Sequence, residues 1–409
     1  MDGLQGKIES LTRRLVEDEA ANGRVRSAVV AVEWKGRGRA AAAAGVARAD
    51  SGAAMTVRTP FHIASVGKPM TAALIFQAVE ENRLGAEGVD ARLIDTGALP
   101  AAVCRRLHVM DGVSFGADIT LRHLLTHTSG LRDAQIDDGT MTSDGYGGWY
   151  APGSIVGSRS EVYRAHLAAV AAGKVPSPAL LTRKLWRPWD PERVDERDAG
   201  LVNFYLNGGM AEHGLFRPGE GFHYSDTAFT ILGLVAEHLL GAGYATLLRE
   251  RLFEPLGMTA SYLDGYGERG VPPGHDVVSD CWAGDVPLVS SLVSLSNDWG
   301  GGGQVCTAGD LLKFIKGLVG GAVFRDEATF RAMTQWCTPR GRNPNYVRVG
   351  CGIFTYASDA GLEIIGHSGA WGGRMFWVPA LGMALAGTVN RSAARTAWMV
   401  EIAEALAAS

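Results

Sequence analysis

Strand-like segments stand at both ends of this chain, and helix-like segments fill the stretch between them. Near the start, "VRSAVVAVEWKGRGRAAAAAGVA" is typical of a hairpin that turns near Gly36 to Gly38, although its alanine run at 40–44 also suits a helix. From residue 350 onward, Gly or Asp divides four strand-like stretches, and a final helix is expected over 392–407. We therefore predict an α+β fold: an antiparallel sheet flanked by terminal helices, with a mostly helical lobe inserted.

This pattern divides the chain of 409 residues into two lobes. The sheet lobe is discontinuous, over 1–64 and 271–409, and the helical lobe covers 65–270. Within the helical lobe, 137–215 is rich in Gly, Trp and Pro, and we expect it to form a lid or a cleft wall. The tryptophans of this segment are Trp149, Trp186 and Trp189.

Composition and charge narrow the class of protein. Hydrophobic residues make up 46% of the chain and charged residues 20%, which is typical of a globular protein. The net charge of −4 comes without a basic block, so no nucleic-acid partner is expected. No apolar run approaches the ~18 residues that span a membrane, so no membrane partner is expected either.

The N-terminus and the cysteines bear on the compartment. The first residues, "MDGLQGKIESLTRRLVEDEA", have helical periodicity at Ile8, Leu11 and Leu15 and lack the pattern of a signal peptide. The five cysteines are scattered, odd in number and without a Cys-x-x-Cys pair. We expect them to be reduced, and we predict a cytoplasmic protein.

The segment "FHIASVGKPM" (61–70) holds Ser65 three residues ahead of Lys68. It does not fit a phosphate-binding loop, because that motif needs glycine where His62 stands and serine or threonine where Pro69 stands. Pro69 lacks a backbone N–H and fits the first turn of a helix, so Ser65 and Lys68 are expected one turn apart at its start. A serine beside an amine at a helix start is one arrangement of an activated nucleophile, while a simple N-cap is the alternative.

Two further segments carry polar residues at the start of a helix and the end of a strand. Tyr224-Ser225-Asp226 follows a turn and precedes an apolar helix. His367-Ser368-Gly369 follows the β-branched stretch "GLEIIG". The second segment narrowly misses the Gly-x-Ser-x-Gly motif of another hydrolase class, because Ala370 stands in place of the last glycine.

In this order, Ser65-x-x-Lys68, Tyr224-x-Asp226 and His367-Ser368-Gly369 resemble the three motifs of the penicillin-recognising serine hydrolases. The most similar branch contains class C β-lactamases, D-Ala-D-Ala peptidases, related esterases and some transacylases. Three more segments look familial: "LRHLLTHTSGL", "GGGGQVCTAGDLLKF" and "GHSGAWGGRMFWVPALGMALAGTVN". The resemblance covers roughly residues 25 to 400 apart from 137–215. It implies a β-lactamase/transpeptidase-like fold with the active site between the two lobes.

The resemblance implies a role for each matching side chain. Ser65 would be the acylated nucleophile, and Lys68 would take or relay its proton. Tyr224 would act as base in acylation and deacylation, and His367 stands where relatives often have lysine. These roles agree with the chemistry, since a serine hydroxyl is a poor nucleophile until a base accepts its proton.

The resemblance also implies an oxyanion hole and contacts with the substrate. The backbone N–H groups of Ser65 and Ala370 would form the oxyanion hole, with Ala370 on the edge strand of the sheet. Such donors stabilise the charge that develops on the carbonyl oxygen during attack. The residues expected to contact the substrate are Asp226, Ser368 and Gly369.

Two positions depart from the motifs of many relatives. Asp226 stands where asparagine is common, and an ionised carboxylate cannot donate a hydrogen bond to a substrate carbonyl. His367 replaces a permanent cation, and we expect its imidazole to change charge between about pH 5 and 8. Both departures favour esters or amides with a neutral acyl side over penicillins and cephalosporins.

We therefore predict a serine hydrolase that forms an acyl-enzyme with a small-molecule ester or amide and has weak or no β-lactamase activity. Two alternatives stay open: an acyltransferase of a biosynthetic pathway that uses the same Ser-Lys-Tyr site, and a non-catalytic binding or sensor domain on the same fold. The sequence does not decide the oligomeric state.

No cofactor and no metal is expected. His123 and His127 have the spacing of a helical metal pair, but no third ligand follows them. Gly300 to Gly303 lack a basic neighbour and the spacing of a phosphate site, so they are expected to form a flexible connection beside the cleft.

Overall fold

The computed structural model describes residues 3–17, 25–140, 151, 153–156, 186–266, 276–283, 286–291, 294–338, 347–392 and 397–409. About half of the expected lid or cleft wall at 137–215 lies outside these residues, and Trp149 is not among them. The chain separates into two compact units. The sheet unit comprises Met1–Glu80, Ala245–Ser291 and Gly302–Ser409, and the helical unit comprises Glu81–Tyr244 and Leu292–Gly301.

The helices and strands are numbered here in chain order. The α-helices are α1 (Leu4–Glu17), α2 (Lys68–Glu80), α3 (Ala101–Arg106), α4 (Leu121–Leu125), α5 (Leu201–Asn207), α6 (Asp226–Leu240), α7 (Tyr244–Leu248), α8 (Trp299–Gly302), α9 (Ala308–Val319), α10 (Glu327–Met333) and α11 (Trp398–Ala407). The strands are β1 (Ser27–Trp34), β2 (Gly38–Gly45), β3 (Phe61–His62), β4 (Val109–Met110), β5 (Val113–Ser114), β6 (Tyr262–Leu263), β7 (Trp282–Ala283), β8 (Val286–Pro287), β9 (Gln304–Cys306), β10 (Arg348–Val349), β11 (Phe354–Tyr356), β12 (Ile364–Ser368), β13 (Arg374–Val378) and β14 (Met383–Thr388).

The sheet unit is built on a seven-stranded sheet in the order β10-β11-β12-β13-β14-β1-β2, with antiparallel neighbours throughout. Strands β1 and β2 form the predicted hairpin, in which Trp34 pairs with Gly38, so the alanine run is a strand. Strand β1, "SAVVAVEW", is buried along almost its whole length, because it lies between two strands and is covered on both faces. The predicted antiparallel sheet made from both ends of the chain is confirmed.

Helices from both ends of the chain cover this sheet. Helix α1 packs on β1 and β2 through the buried side chains Ile8 and Leu15, and it also contacts α11. Helix α9 packs on β14 and β1. The last helix begins at Trp398 and not at 392, since Ser392 lies in a turn that directly follows a β-bridge at Arg391.

The boundaries of the two units differ from the sequence-based lobes. Helix α2 is apolar all round and packs against α10 and β12, so it belongs to the sheet unit. Residues 245–270 were expected in the helical lobe, but their strand β6 pairs with β9 and the segment groups with the sheet. Conversely, 292–301 groups with the helical unit.

Helix α6 organises the helical unit. Its N-cap is Ser225, whose side chain accepts a hydrogen bond from the backbone N–H of Ala228, and it ends at Gly241 in the left-handed conformation that glycine favours. Most of its side chains are buried, and α4 and α5 pack against it. The start of α6 is therefore a fixed point on which neighbouring polar residues can be placed.

A helix that spans a membrane needs both sufficient length and sufficient mean hydropathy. Among the residues that the structure describes, no single helix is both long and apolar enough; the criterion is met only when Asp226–Leu240 and Tyr244–Phe253 are joined across their break.

Candidate active site

Ser65 and Lys68 meet at the start of α2. A single 3₁₀ turn, Ala64–Gly67, leads into the helix, and Pro69 is the second helical residue, as its missing N–H requires. The ammonium of Lys68 donates to Ser65 Oγ at 3.0 Å. Lys68 is fully buried, which is rare for a lysine and costs free energy unless the charge is hydrogen-bonded. The expected one-turn pairing is therefore present in the structure.

The backbone before Ser65 is held in an unusual conformation. Ala64 has φ +47°, in the left-handed region that residues other than glycine rarely adopt. Gly302 presses against it: a Cβ at Gly302 would overlap the Ala64 carbonyl and lie 2.7 Å from Ser65 N. On Gly369, a Cβ would overlap the carbonyl oxygen of Ile63. Close backbone approaches at both glycines thus fix the position of the serine.

His367 lies on β12, fully buried. Its Nδ1 is 2.8 Å from the carbonyl oxygen of Ser368, and because a carbonyl only accepts, the ring proton lies on Nδ1. Burial, and then the charge of Lys68, holds the pKa of His367 well below its usual value. This direction runs against the expectation that the imidazole changes charge between about pH 5 and 8, because burial favours the neutral ring.

The turn after β12 carries Ala370, which is exposed. The expectation that it lies on the edge strand is wrong: β12 is flanked by β11 and β13, and the edge of the sheet on this side is β10. However, β11 pairs only with residues 364–366 of β12, so the end of the strand has no neighbour on that side among the described strands. In the described part of the chain, the backbone N–H groups of Ala370 and Ser65 donate to no acceptor.

Ser368 receives a hydrogen bond that the sequence did not reveal. The hydroxyl of Tyr356, on β11, donates to Ser368 Oγ at 3.2 Å. Tyr356 is 3% exposed and packs beside Phe376. Because its oxygen accepts from Tyr356, the Ser368 hydroxyl keeps its own proton for another acceptor.

In the helical unit, Tyr224 stands two residues before the start of α6 and is half-buried. Its ring stacks on His127, with centroids 4.2 Å apart and planes 21° apart. His127 is itself fixed, since its Nδ1 accepts the backbone N–H of Ser225 at 3.0 Å and its backbone carbonyl accepts that of His223. The Tyr224 ring is thus positioned by the His127 ring, since Tyr224 itself lies outside any helix or strand.

Asp226 is the first residue of α6, and it lies beside two buried carboxyl groups. Asp133 is fully buried, and the backbone N–H groups of Gln135 and Asp226 donate to its carboxyl. Burial, followed by repulsion from Asp226 and Asp137, raises the pKa of Asp133 well above its usual range. His223 contacts Asp137 at 2.6 Å. Asp226 therefore sits in an acidic environment, which the sequence pattern did not indicate.

The histidine pair considered for a metal does not share a helix face. His123 Nδ1 accepts the backbone N–H of Thr120 in a capping box, while His127 lies beyond the end of α4 with φ +57°. No group of three or more metal-ligating side chains is arranged for an ion within the described ranges.

Comparisons with known proteins agree with this architecture. Residues 12–407 match the family described as Beta-lactamase. The chain is 24% identical over 326 residues to a penicillin-binding protein of Bacillus subtilis, which covers 76% of this chain and 56% of that protein. It is 28% identical over 239 residues to the esterase EstB of Burkholderia gladioli, which covers 57% of this chain and 46% of that protein. The chain thus spans about half the length of the curated relatives it matches.

Among solved structures, the fold resembles that of a D-stereospecific amidohydrolase from Streptomyces sp., with a TM-score of 0.69 and 22% identity over 97% of this chain and 98% of that one. The predicted β-lactamase/transpeptidase-like fold is confirmed by this likeness. Because the family match extends over nearly the whole sequence, the chain belongs to the Beta-lactamase family.

Proposed function

We propose that this protein is a serine hydrolase that acts through an acyl-enzyme on a small ester or amide. The observation that carries the proposal is the 3.0 Å hydrogen bond from the buried Lys68 ammonium to Ser65 Oγ. An N-cap serine needs no such partner, because its oxygen would accept from the backbone of its own helix. A buried amine bonded to a hydroxyl is instead suited to handling that hydroxyl's proton.

Acylation begins when Ser65 Oγ attacks the carbonyl carbon of the substrate. The hydroxyl proton passes to a base, a C–O bond forms, and the carbonyl π electrons move onto the oxygen. We assign the base to Tyr224, on the strength of its place in the Tyr-x-Asp motif before α6, with Lys68 orienting Oγ and relaying the proton. The tetrahedral intermediate then collapses, and the leaving alcohol or amine takes the proton.

The charge that develops on the carbonyl oxygen needs donors that are already in place. The backbone N–H groups of Ser65 and Ala370 are candidates, because neither donates to an acceptor in the described part of the chain. The turn at Gly369 approaches Ile63 and Ala64 closely, so the two segments that carry these donors are packed together. Each donor of this kind typically lowers the barrier by about 3 kcal/mol. Water then attacks the acyl-enzyme by the same steps, and Ser65 is released.

The side chains of His367 and Asp226 favour substrates with an uncharged acyl group over penicillins. A penicillin carries a carboxylate, and burial lowers the pKa of His367 at the position where a permanent cation would bind that carboxylate. Asp226 offers a carboxylate where an amide would donate to the substrate. The names of an esterase and an amidohydrolase among the similar proteins are in line with ester or amide substrates.

Covalent labelling tests the proposal. A fluorophosphonate should add one mass increment to the wild type and none to Ser65→Ala. Ser114→Ala is the control, because this serine is exposed on β5, donates to the carbonyl oxygen of Arg105 and should leave labelling intact. Equal labelling of the wild type and Ser65→Ala would refute the assignment of the nucleophile. Turnover of a p-nitrophenyl ester with the same dependence on Ser65 completes the test.

A further inference from the structure

Arg374 is a charged residue that the proposed chemistry does not yet use. It is the first residue of β13, directly opposite Ser368 in the sheet, and only 2% of it is exposed. A buried guanidinium costs free energy unless several hydrogen bonds compensate it. Its position next to the turn that carries Ala370 points to a role there.

The guanidinium holds the carbonyl groups of this turn. Nη1 of Arg374 donates to the carbonyl oxygen of Gly369 at 3.0 Å and to that of Gly373 at 2.7 Å. Hydrogen bonds from a charged donor are roughly twice as strong as neutral ones. The carbonyl of Gly369 also accepts the backbone N–H of Gly372 at 3.0 Å, so both of its acceptor positions are filled, one of them by a cation.

The carbonyl of Gly369 and the N–H of Ala370 belong to the same peptide group. In a trans peptide these two groups point in opposite directions, and the described chain contains no cis peptide bond. Arg374 is buried on the carbonyl side, while Ala370 is exposed and its N–H meets no acceptor in the described residues. We infer that Arg374 is a positioning residue that aims and polarises the Ala370 N–H towards the oxyanion of the reaction proposed above, on which this inference rests.

The turn over 369–373 would close without the charge of the Arg374 guanidinium. Backbone bonds from Gly369 N–H to Gly373 O, at 2.8 Å, and from Gly372 N–H to Gly369 O already close it. A cation on the carbonyl end draws electron density through the peptide group, which makes its N–H a stronger donor. After burial, the charges of Lys68 and Arg374 both lower the pKa of His367, which lies two residues before Gly369. The guanidinium therefore acts through the peptide and does not touch the substrate.

Pre-steady-state kinetics with p-nitrophenyl acetate separate this role from a structural one. In Arg374→Gln, the acylation rate constant should fall by about tenfold, a fraction of the loss when a whole oxyanion donor is removed, while the dissociation constant of the ester changes less than about twofold. The affinity for phenylboronic acid, whose tetrahedral adduct on Ser65 places an oxygen in the oxyanion hole, should fall by a similar factor. Arg374→Lys keeps the cation and should recover part of both losses.

Arg348→Gln is the matched control, because Arg348 lies on β10 of the same sheet and pairs with Glu363 at the surface. It should leave the acylation rate and the boronate affinity unchanged. Unaltered acylation in a folded Arg374→Gln would overturn the inference and leave the hydrolase proposal standing. If Arg374→Gln does not fold, Arg374→Met, which also removes the cation, decides: an unchanged acylation rate constant and boronate affinity would overturn the inference. Absence of any acylation of wild-type Ser65 would instead refute the proposed function itself.

Discussion

The two units of this protein bury ionisable groups of different kinds: basic side chains in the sheet unit and carboxyl groups in the helical unit. In the sheet unit, Lys68 and Arg374 are buried cations. In the helical unit, Asp133 and Asp137 are fully buried carboxyl groups near the start of α6. Burial of several ionisable groups costs free energy in each unit, and such costs are typical of functional sites rather than of plain cores. In the proposed reaction, the cations of the sheet unit would stabilise the developing negative charge, and the carboxyl groups of the helical unit would hold protons.

The units also position their functional groups by different means. In the sheet unit, the close approach of Gly302 to Ala64 and Ser65 fixes the serine through backbone contacts. In the helical unit, the Tyr224 ring is held by stacking on His127. The two units should therefore respond to different substitutions. In the sheet unit, activity should fall when a side chain is added at a close backbone contact. In the helical unit, activity should fall when a functional group is removed from a side chain.

The largest effect is expected from Tyr224→Phe, which keeps the ring stacked on His127 and removes only the hydroxyl. Loss of a general base typically costs 10²- to 10⁴-fold, so kcat/KM for p-nitrophenyl acetate should fall by about 10³-fold. The matched control is Tyr205→Phe, another tyrosine of the helical unit, whose hydroxyl donates to Leu107 O at 3.0 Å. It should lower stability and leave kcat/KM near the wild-type value. Equal activity losses in the two variants would remove the case for Tyr224 as base.

Gly302→Ala tests the backbone contacts that position Ser65 in the sheet unit. The new Cβ would overlap the Ala64 carbonyl and crowd Ser65 N, so the nucleophile should shift. A displacement of order 1 Å typically costs about 10²-fold, and we expect kcat to fall by that factor. Gly243→Ala is the control, because the nearest atom to its Cβ would be Glu237 Oε1 at 3.8 Å. A Gly302→Ala variant that folds and retains the wild-type kcat would show that this contact does not determine the position of Ser65.

A smaller effect is expected from Asp226→Asn. The new amide can donate to a substrate amide carbonyl, which is worth about 1 kcal/mol. The ratio of kcat/KM for nitrocefin to that for p-nitrophenyl acetate should therefore rise by about fivefold. Asp90→Asn, an exposed change in the same unit that breaks a pair with Arg122, should leave the ratio unchanged. An unchanged ratio in Asp226→Asn would mean that this carboxylate does not face the substrate.

The smallest effect concerns stability. The folded-state pKa of Asp133 is raised, so the folded state holds a proton that the unfolded state has lost, and stability falls as pH rises above the unfolded value of about 3.9. Asp133→Asn removes this penalty, so its advantage in free energy of unfolding over the wild type should grow between pH 4.5 and about pH 7. Asp50→Asn is the contrasting control, since Arg48 lowers the pKa of Asp50 and its titration falls below that range. Urea titrations at several pH values measure both, and a constant difference for Asp133→Asn would contradict an acid held in its neutral form.

Local patterns predicted the parts of this molecule that depend on local sequence. The hairpin of β1 and β2 followed from its turn glycines and its context, and the pairing of Ser65 with Lys68 followed from Pro69 and helical spacing. The start of α6 at Asp226 followed from a turn and from the apolar run after Tyr224-Ser225-Asp226, whereas the capping role of Ser225 came from the structure. These features depend on residues a few positions apart, so the sequence carried the information directly.

Contacts between distant segments could not be predicted in the same way. The burial of Arg374 depends on the turn whose carbonyl groups it contacts. The left-handed conformation of Ala64 depends on the close approach of Gly302, and an alanine at this position gives no indication of a positive φ. The low pKa of His367 depends on burial in the finished sheet. The acidic neighbours of Asp226 come from a loop about ninety residues earlier, around Asp133.

The central claim is that Ser65 becomes acylated during turnover. The most direct measurement mixes the protein with p-nitrophenyl acetate, quenches with acid within milliseconds to seconds, and locates the acetyl group by peptide mass spectrometry. The account predicts one acetyl group per chain on the peptide that carries Ser65, which forms together with the burst of p-nitrophenol and decays at the rate of turnover. Release of p-nitrophenol with no acetyl group on Ser65, or with an equal burst from Ser65→Ala, would contradict it.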